Sequence, residues 1–536
     1  MNYRYIPSGK AYLLYWLLLM FSCACNTYKK DTSVKLTAAL EAAGINEAAL
    51  NQVIAHYSQS PGDSLKLAAA LFLVENMPGK GSMRYAATTN CGAFKQDLFV
   101  GDAIGIDSVN AIKKRIEDSL HCGPIKFVNP VFLADCRTIS ASMLIENIEY
   151  AFKAWQQPWA KKLSFEEFKE FILPNRMQNE PLQRWRKWCW DNSGWIFEKA
   201  GGSTDRIKIA GIVNDSLRKY YGYIHDNINY FPGTFTMKQL LATKGGRCED
   251  LNMAVGYWLR AIGIPVSTEF TSYWANGNFG GHSWLAILDT TGKFVPMNAI
   301  YDKPVRDSLP FQDMRLAKAY RYRYHIDEGT VLKEGQYFQS YYDITKEYLP
   351  TSDYSMRVPK EQSGKIFLGV LNGKYWKPLQ MQTTRNGDTL VFRNIASTAV
   401  YAPVVVQDGR EENTQTIGTP FLLTEDRHIQ YLVENKDSLI DISLDISSLS
   451  DERYKKKCMV VYWDNVKKDW LPAGIIRLLV DDPRKLREQK IKKMIVFSGV
   501  PANAIYRVIN VEVPQHDKSY GRPYVYNEEM KTYNKY

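Results

Sequence analysis

A cysteine stands at the predicted start of a helix, in the run GGRCED over residues 245–250. The two glycines permit a tight turn, and the two acidic residues suit the positive end of a helix dipole. Gly263 and Pro265 end the apolar-faced helix that follows. Because a helix N-terminus lowers the pKa of a thiol, Cys248 is the candidate nucleophile of a thiol-dependent reaction.

An imidazole that could activate this thiol follows in the strand-like run GGHSWLAIL, residues 280–288. The turn DTTG and the returning run KFVPMN, residues 293–298, predict a β-hairpin. A three-residue loop would pair Leu288 with Gly292, and outward counting then places His282 opposite residue 298 on the same face.

The pattern offers more than one candidate for the third member of such a triad. Asn298 faces His282 in this register, and its amide could orient the imidazole. Asp302 and Asp289 are the alternatives, and the place of Asp289 in the turn favours a structural role.

The stretch from Gly246 to Asn298 resembles the transglutaminase-like superfamily. It carries Gly-x-Cys-x-Asp at 246–250, Leu-Arg-Ala-x-Gly-Ile-Pro at 259–265 and His-x-Trp at 282–284. The resemblance implies a papain-like α+β arrangement in which Cys248 is the nucleophile and His282 the general base. The family usually has aspartate where this chain has Asn298, and an amide stabilises an imidazolium less than a carboxylate does.

This resemblance implies a cysteine protease or amidase that acts on peptide or carboxamide bonds through a thiol acyl-enzyme. The expected partner is a protein or peptide substrate, which can bear glycan. No metal and no cofactor is expected, because no Cys/His cluster has zinc spacing and no phosphate-binding or calcium loop occurs. The alternative is a catalytically silent transglutaminase-like scaffold that binds glycan or a partner protein at the cell surface.

The N-terminus predicts export and lipid anchoring. Arg4 and Lys10 precede an apolar stretch, residues 11–21, that is too short to span a bilayer of roughly 30 Å. Cys23, after a small residue, resembles a bacterial lipobox, which implies cleavage before it and lipidation of its thiol. Cys25 is the second choice, and an ordinary signal peptide is the alternative. We therefore expect a protein of the cell envelope, lipid-anchored to the outer membrane and periplasmic or surface-exposed, resembling exported multidomain lipoproteins of Bacteroidetes.

Length and composition predict several folded domains. The 536 residues exceed a single core, and 45% hydrophobic with 23% charged residues is typical of globular proteins. The formal net charge of +11 is spread thinly, and the longest unbroken basic runs have three residues, at 113–115 and 455–457. Nucleic-acid binding is therefore not favoured.

The predicted fold class is multidomain α+β, with the signal peptide over residues 1–22. A helical N-terminal domain (23–204), the transglutaminase-like core (205–351) and two β-sandwich-like modules (352–450 and 451–536) follow. Residues 83–135 are not assigned to any element. The short matches WKPL (376–379) and WLPA (470–473) are a faint sign of a repeat between the β-modules.

Cysteines and tryptophans outside the candidate site receive structural interpretations. Export permits disulfides, and a pair among Cys91, Cys122 and Cys136 is expected. Cys189 and Cys458 are expected to be buried. Tryptophans between residues 155 and 195 favour a helix-packing core over a platform for sugars or bases.

Overall fold

The computed structural model describes most of the chain after residue 33, in two compact units. The described residues are 34–95, 98–99, 105–224, 231–276, 280–311, 314–333, 336–358, 364–379, 381, 383–407, 410, 413–445, 458–473, 475–479, 494–510, 524–527 and 532–535. Unit 1 comprises Met1–Thr268, Trp284–Pro310 and Tyr322–Tyr341, and unit 2 comprises Glu269–Ser283, Phe311–Arg321 and Tyr342–Tyr536. The predicted signal peptide, Cys23 and Cys25 lie outside the described residues.

The first part of unit 1 is mainly helical. Its elements are α1 (34–43), α2 (Glu47–Ser58), α3 (Ser64–Glu75), β1 (Gly81–Thr89), β2 (Gly92–Ala93), α4 (Ile106–Leu120), β3 (Lys126–Ala134), α5 (Asp135–Thr138), α6 (Ala141–Trp155), α7 (Phe165–Phe171), α8 (Arg186–Asp191) and α9 (Gly194–Ala200). The stretch left unassigned by the sequence holds an antiparallel sheet of order β2-β1-β3 together with α4.

The elements around the candidate site follow. They are α10 (Arg206–Leu217), β4 (Gly222–Tyr223), α11 (Met237–Thr243), β5 (Gly245–Gly246), α12 (Cys248–Ala261), β6 (Val266–Thr271), β7 (His282–Leu288), β8 (Phe294–Met297), β9 (Tyr320–Arg323), β10 (Ser340–Asp343) and α13 (Thr345–Tyr348). Strands β4 and β5 form a short parallel pair, and the others form a five-stranded sheet of order β10-β9-β6-β7-β8.

One hydrophobic core runs through unit 1. It contains residues from Ala39 on α1 to Tyr324, and it includes Ile196 and Ile207 on either side of the predicted division at 204/205. The helical segment and α12 therefore bury their apolar faces against each other and share a core.

Cysteines in unit 1 behave largely as expected. Cys91 and Cys122 form a disulfide with their Cα atoms 5.4 Å apart, which confirms a pair within the expected group. Cys136 and Cys189 are buried free thiols. Cys458 belongs to unit 2, and its side chain is not among those that the structure describes.

The tryptophan-rich segment is mostly core. Trp159 and Trp185 are at most 5% exposed, and Trp155 stacks on Phe168 with ring centroids 4.4 Å apart. Trp188, at 46% exposed, is the exception. The core interpretation is confirmed for the buried members of this segment.

Unit 2 continues as two β-sandwich modules. The first contains β11 (Thr351–Arg357), β12 (Ile366–Asn372), β13 (Tyr375–Leu379), β14 (Thr383–Asn386), β15 (Thr389–Ala396), β16 (Ala399–Val406), β17 (Thr414–Thr416), β18 (Phe421–Leu423) and β19 (Ile429–Tyr431). The second contains β20 (Asn435–Asp445), β21 (Cys458–Asp464), β22 (Asp469–Ala473), β23 (Ile475–Leu479), β24 (Met494–Ala502), β25 (Ile505–Asn510), β26 (Tyr524–Asn527) and β27 (Thr532–Lys535).

The two modules have the same topology, strand for strand. The first has sheets of order β11-β15-β14 and β13-β12-β16-β18-β19, and the second has β20-β24-β23 and β22-β21-β25-β26-β27. Only β17, which pairs with β16, lacks a counterpart among the described strands. Strand β20 pairs with β24, so the pairing divides the modules ahead of the predicted boundary at 450/451.

The faint sequence repeat falls on equivalent strands. Trp376 and Trp470 are each the second residue of the third strand, β13 and β22. Their rings pack edge-on against the same Trp463, with centroids 5.6 and 5.5 Å away. The repeated position therefore builds the apolar contact between the two modules.

Candidate active site

Cys248 is the first residue of α12, as the sequence predicts. Positions 245 and 246 ahead of it must be glycine because neighbouring atoms leave no room for a Cβ atom, and neither of them has a left-handed φ. A Cβ on Gly245 would come within 2.5 Å of the Gly222 carbonyl oxygen on the paired strand β4. A Cβ on Gly246 would come within 2.5 Å of the Asp250 Cβ atom. Glycine thus lets β4 and the start of α12 close around the cysteine.

A buried carboxylate caps the helix that carries the cysteine. Asp250 is fully buried and accepts hydrogen bonds from the backbone N–H of Arg247 at 2.9 Å and of Phe235 at 2.7 Å. Burial raises the pKa of Asp250 to about 6, against the opposing effect of these bonds and of Arg247. The first turn of α12 is therefore tied both to its own N-cap and to the segment before α11.

The sulfur of Cys248 has an acidic neighbour. The thiol is half-buried and not disulfide-bonded, and Sγ donates to Glu249 Oε2 at 3.2 Å. The charges of Cys248 and Glu249 also affect the pKa values of two tyrosines. Burial and the charges of Cys248 and Glu249 raise the pKa of Tyr223 to about 12. Burial raises the pKa of Tyr322 as well, followed by Tyr337 and Glu249, with a smaller effect of Cys248. A carboxylate at this distance disfavours the thiolate, whereas the positive end of α12 favours it.

The body of α12 is held by a buried polar network. Arg260 donates to the carbonyl oxygens of Val266, at 3.0 Å, and of Arg176, at 2.7 Å. The Tyr257 hydroxyl donates to Glu180 Oε1 at 2.7 Å. Arg176 in turn forms a two-point ion pair with Asp135, with Nε and Oδ2 2.6 Å apart. These pairings satisfy charges that would be costly to bury alone.

His282 is the first residue of β7 and is half-buried. Within unit 2 its ring stacks on Trp274, with centroids 5.8 Å apart and an interplanar angle of 25°. Trp274 is itself buried and meets Phe311 edge-on at 5.4 Å. A Cβ on the preceding Gly281 would come within 1.9 Å of the Thr271 carbonyl oxygen, so only glycine fits there. These contacts fix the plane of the imidazole.

The loop before His282 is anchored at its described start. The Asn276 side chain accepts from the N–H of Arg315 at 2.9 Å, and the Trp274 carbonyl accepts from Asn372 at 2.9 Å. Residues 277–279 lie outside the described part of the chain. Trp274 and Asn276 therefore belong to a fixed wall on this side of the histidine.

The predicted hairpin register is wrong by two residues. Leu288 pairs with Phe294 and not with Gly292, because the connection has five residues and not three. The Asp289 carboxylate closes it by accepting from the N–H groups of Thr291 at 2.7 Å and Lys293 at 3.2 Å. This confirms the structural interpretation of Asp289 and removes it as a candidate for the triad.

Asn298 directly follows β8 and is held by an acid. Its Nδ2 donates to Asp302 Oδ2 and to the Pro310 carbonyl oxygen, both at 2.8 Å. Both hydrogens of the amide are thereby used, so Asn298 can offer only Oδ1 to an imidazole. Sequence reasoning treated Asn298 and Asp302 as alternatives, whereas the structure makes them a hydrogen-bonded pair.

The three predicted site residues thus occupy defined ends of elements. Cys248 and Asn298 belong to unit 1, and His282 belongs to unit 2. Sequence reasoning missed Tyr223 and Tyr322, since neither lies near Cys248 in the chain.

Among the described residues, no group of three or more His, Cys, Asp or Glu side chains could hold a metal ion. The helices of the described segments include none with the length and apolar character to cross a bilayer.

One known protein family matches part of this chain. Residues 194–299 match the transglutaminase-like superfamily, and this stretch contains all three candidate residues. The chain therefore contains a transglutaminase-like domain within a mixed helix-and-strand architecture of several sheets.

One solved structure and the curated proteins complete the comparison. A crystal structure of a candidate cysteine protease from Cytophaga hutchinsonii is similar to 34% of this chain, at 13% sequence identity and a TM-score of 0.20. The similarity spans 64% of that protein, less than two thirds of its length. No curated protein matches this chain.

Proposed function

We propose that this chain is a cysteine hydrolase that cleaves a peptide or carboxamide bond through a thiol acyl-enzyme. The observation that carries the proposal is the position of the Cys248 thiol, which forms no disulfide, at the first residue of α12 inside the transglutaminase-like match. A thiol at a helix N-terminus is a favourable nucleophile, and a helix fixed by buried polar pairs holds it in place.

The proposed reaction has two steps. His282 takes the proton of the Cys248 thiol as Sγ attacks the carbonyl carbon, and it gives that proton to the leaving amine as the thioester forms. Water gives one proton to His282 as its oxygen attacks the thioester, and His282 passes that proton to the departing sulfur to restore the thiol. The acid product releases its remaining proton to solvent and leaves as a carboxylate. Asn298 Oδ1 orients the imidazole, and a backbone N–H at the start of α12 stabilises the oxyanion. No metal or cofactor is proposed.

Labelling of the full chain tests the nucleophile. A chloroacetamide probe should label wild-type protein at Cys248, and Cys248→Ala should lose this label. Cys189→Ala is the matched control, since Cys189 is fully buried and burial raises the pKa of its thiol. We expect His282→Ala to slow labelling at neutral pH by about 10²-fold or more, which is the usual size of general-base catalysis. Equal labelling of wild-type protein and Cys248→Ala would refute the proposal.

A silent scaffold is the second candidate function, and Glu249 favours it. A carboxylate 3.2 Å from Sγ stabilises the protonated thiol, which is the form that does not attack carbonyl groups. The two equivalent β-sandwich modules would then bind a protein or glycan partner without chemistry. Cleavage of a peptide library by wild-type protein, but not by Cys248→Ala, would exclude this alternative.

We further propose that the chain is lipid-anchored in the cell envelope through Cys23. The lipobox-like sequence supports this proposal. Metabolic labelling with an alkyne-tagged fatty acid should mark wild-type protein and Cys25→Ala but not Cys23→Ala. Label retained by Cys23→Ala and lost by Cys25→Ala would assign the anchor to the second cysteine.

A further inference from the structure

Unit 1 contains a large cavity on the side of α1 and α3. Its volume is about 690 Å³, within the range of roughly 300–1,000 Å³ that small-ligand sites occupy. Its walls are α1, the C-terminal end of α3, the junction of β3 with α5, and the chain around residues 326–333. The candidate triad residues do not line it, so it is a separate feature of the molecule.

The cavity combines apolar surface with charges of both signs. The apolar part includes Ala39, Pro78, Phe132, Leu133 and Leu332. The charged groups that line it are Lys35, Glu41, Glu75, Arg137, Asp327 and Lys333. Such a lining suits a ligand that has apolar side chains and both an ammonium and a carboxylate group.

Among the charged groups that line the cavity, Glu75 has a buried carboxyl oxygen that requires a hydrogen-bond donor. Its Oε1 is buried and makes no hydrogen bond with the described residues. Burial raises the pKa of Glu75 to about 7, although Lys35 on α1 and Lys169 on α7 lower it. A desolvated carboxyl oxygen without a hydrogen bond is costly, and a donor supplied by a ligand would remove that cost.

A strand edge forms part of the wall. Strand β3 lies at the edge of the sheet β2-β1-β3, and its last residues, 132–134, line the cavity. An edge strand offers backbone groups to an added extended segment, which is a common mode of peptide recognition. The cavity is also lined by Gly329 and Thr330, whose small side chains leave room for a ligand.

We propose that this cavity binds a short extended peptide whose free α-ammonium pairs with Glu75. The peptide's apolar side chains cover Ala39, Phe132 and Leu332, and its carboxylate lies toward Arg137 and Lys333. Binding needs no participation of Cys248, so this inference extends beyond the proposed hydrolase function.

Calorimetry with the tripeptide Leu-Leu-Leu tests the proposal. The full chain carrying Cys248→Ala is used, so that the peptide is not consumed and the result does not depend on hydrolysis. We expect saturable binding, and we expect N-acetyl-Leu-Leu-Leu to bind at least tenfold more weakly because it has no ammonium. Equal affinity for both peptides, or no saturable binding up to about 1 mM, would overturn the proposal.

The pH dependence has a defined sign. Glu75 must be ionised and the peptide amine, with an ordinary pKa of about 7.7–8.0, must be protonated. Affinity should therefore peak near pH 7.5 and fall about fivefold by pH 6. Glu75→Gln should flatten the acid side of this profile and remove the preference for the free N-terminus, and an unchanged profile would contradict the assignment.

A rim variant tests the location without disturbing the core. Ala38 is exposed on α1 and lines the cavity, so Ala38→Trp should block it and weaken binding at least tenfold. Ala48→Trp is the matched control, because Ala48 is exposed on α2 and does not line the cavity. Equal binding by both variants would place the peptide elsewhere. Glu75→Gln is also made on the wild-type chain, where labelling of Cys248 should equal that of wild-type protein, so failure of either proposal can be recognised separately.

Discussion

Removing the charge of Glu249 should make Cys248 more reactive. The thiol donates to Glu249 Oε2 at 3.2 Å, and once the proton leaves, sulfur and carboxylate become two like charges at that distance. Glu249→Gln keeps the shape of the side chain and removes the negative charge, which favours the protonated thiol and repels the thiolate. The amide can also donate a hydrogen bond to the thiolate.

The size of the effect follows from the distance. Two unit charges 3.2 Å apart interact by about 1 kcal/mol in a water-like dielectric, which applies because Cys248 and Glu249 are both only half-buried. This energy corresponds to about fivefold more thiolate at a pH where the thiol form dominates. The thiolate is the reacting form, so the rate of alkylation should rise by about the same factor.

Iodoacetamide alkylation of Cys248, followed by intact-mass spectrometry between pH 6 and 10, measures this rate. The gain should be largest at neutral pH and should vanish at high pH, where both proteins are fully ionised. Glu166→Gln is the matched control, because Glu166 occupies the equivalent second position of α7 and its side chain is 80% exposed. An unchanged or slower rate in Glu249→Gln would refute the electrostatic reasoning.

Further predictions concern the triad partner, a buried lysine and the disulfide. Asn298→Asp would set a carboxylate 2.8 Å from that of Asp302, so kcat/KM should fall, and adding Asp302→Asn should restore it; a double variant as slow as the single one would contradict this. Burial lowers the pKa of Lys80 to about 7, so the unfolded chain binds more protons above that pH and the free energy of unfolding should rise from pH 7 to 10. Urea titrations of Lys80→Met should show a smaller rise, and an identical slope would count against burial of the charge. Replacing Cys91 and Cys122 by alanine opens a loop with a sequence separation of 31, which should cost roughly 3–4 kcal/mol of unfolding free energy; an unchanged urea midpoint would contradict it.

The helix of the nucleophile could be predicted from sequence because its signals are local. Glycines before Cys248, acidic residues in the first turn and Gly263 after the last turn each act within a few residues, and the structure gives α12 as Cys248–Ala261. Gly263 has the left-handed φ of +84° that a helix stop requires. The sequence did not reveal that every residue from Asp250 to Ala261 is buried, since burial on all sides depends on segments far away in the chain.

The strand position opposite Asn298 could not be predicted from the sequence, because it depends on the length of the hairpin loop. The register of a hairpin depends on the length of its loop, and the loop length depends here on the Asp289 carboxylate bonding to two backbone N–H groups. The pattern DTTG fits both a three-residue and a five-residue connection. An error of two residues preserves the face of the strand but pairs Asn298 with the wrong position.

The repeat between the β-modules was faint in the sequence and is clear in the topology. Sandwich strands need only alternating apolar residues, so most positions can change without loss of the fold. Trp376 and Trp470 occupy equivalent positions, and each packs against Trp463 at the contact between the modules.

The support of α12 shows why the transglutaminase-like match is not a self-sufficient unit of structure. The match begins at residue 194, yet Asp135, Arg176 and Glu180, which hold the helix or its supports, all precede it. Without them the Tyr257 hydroxyl loses its acceptor, Arg260 loses one of its carbonyl partners, and both groups remain buried. The helical segment ahead of the match is thus part of the apparatus that holds the cysteine in place, and the single hydrophobic core that joins the two is the physical reason.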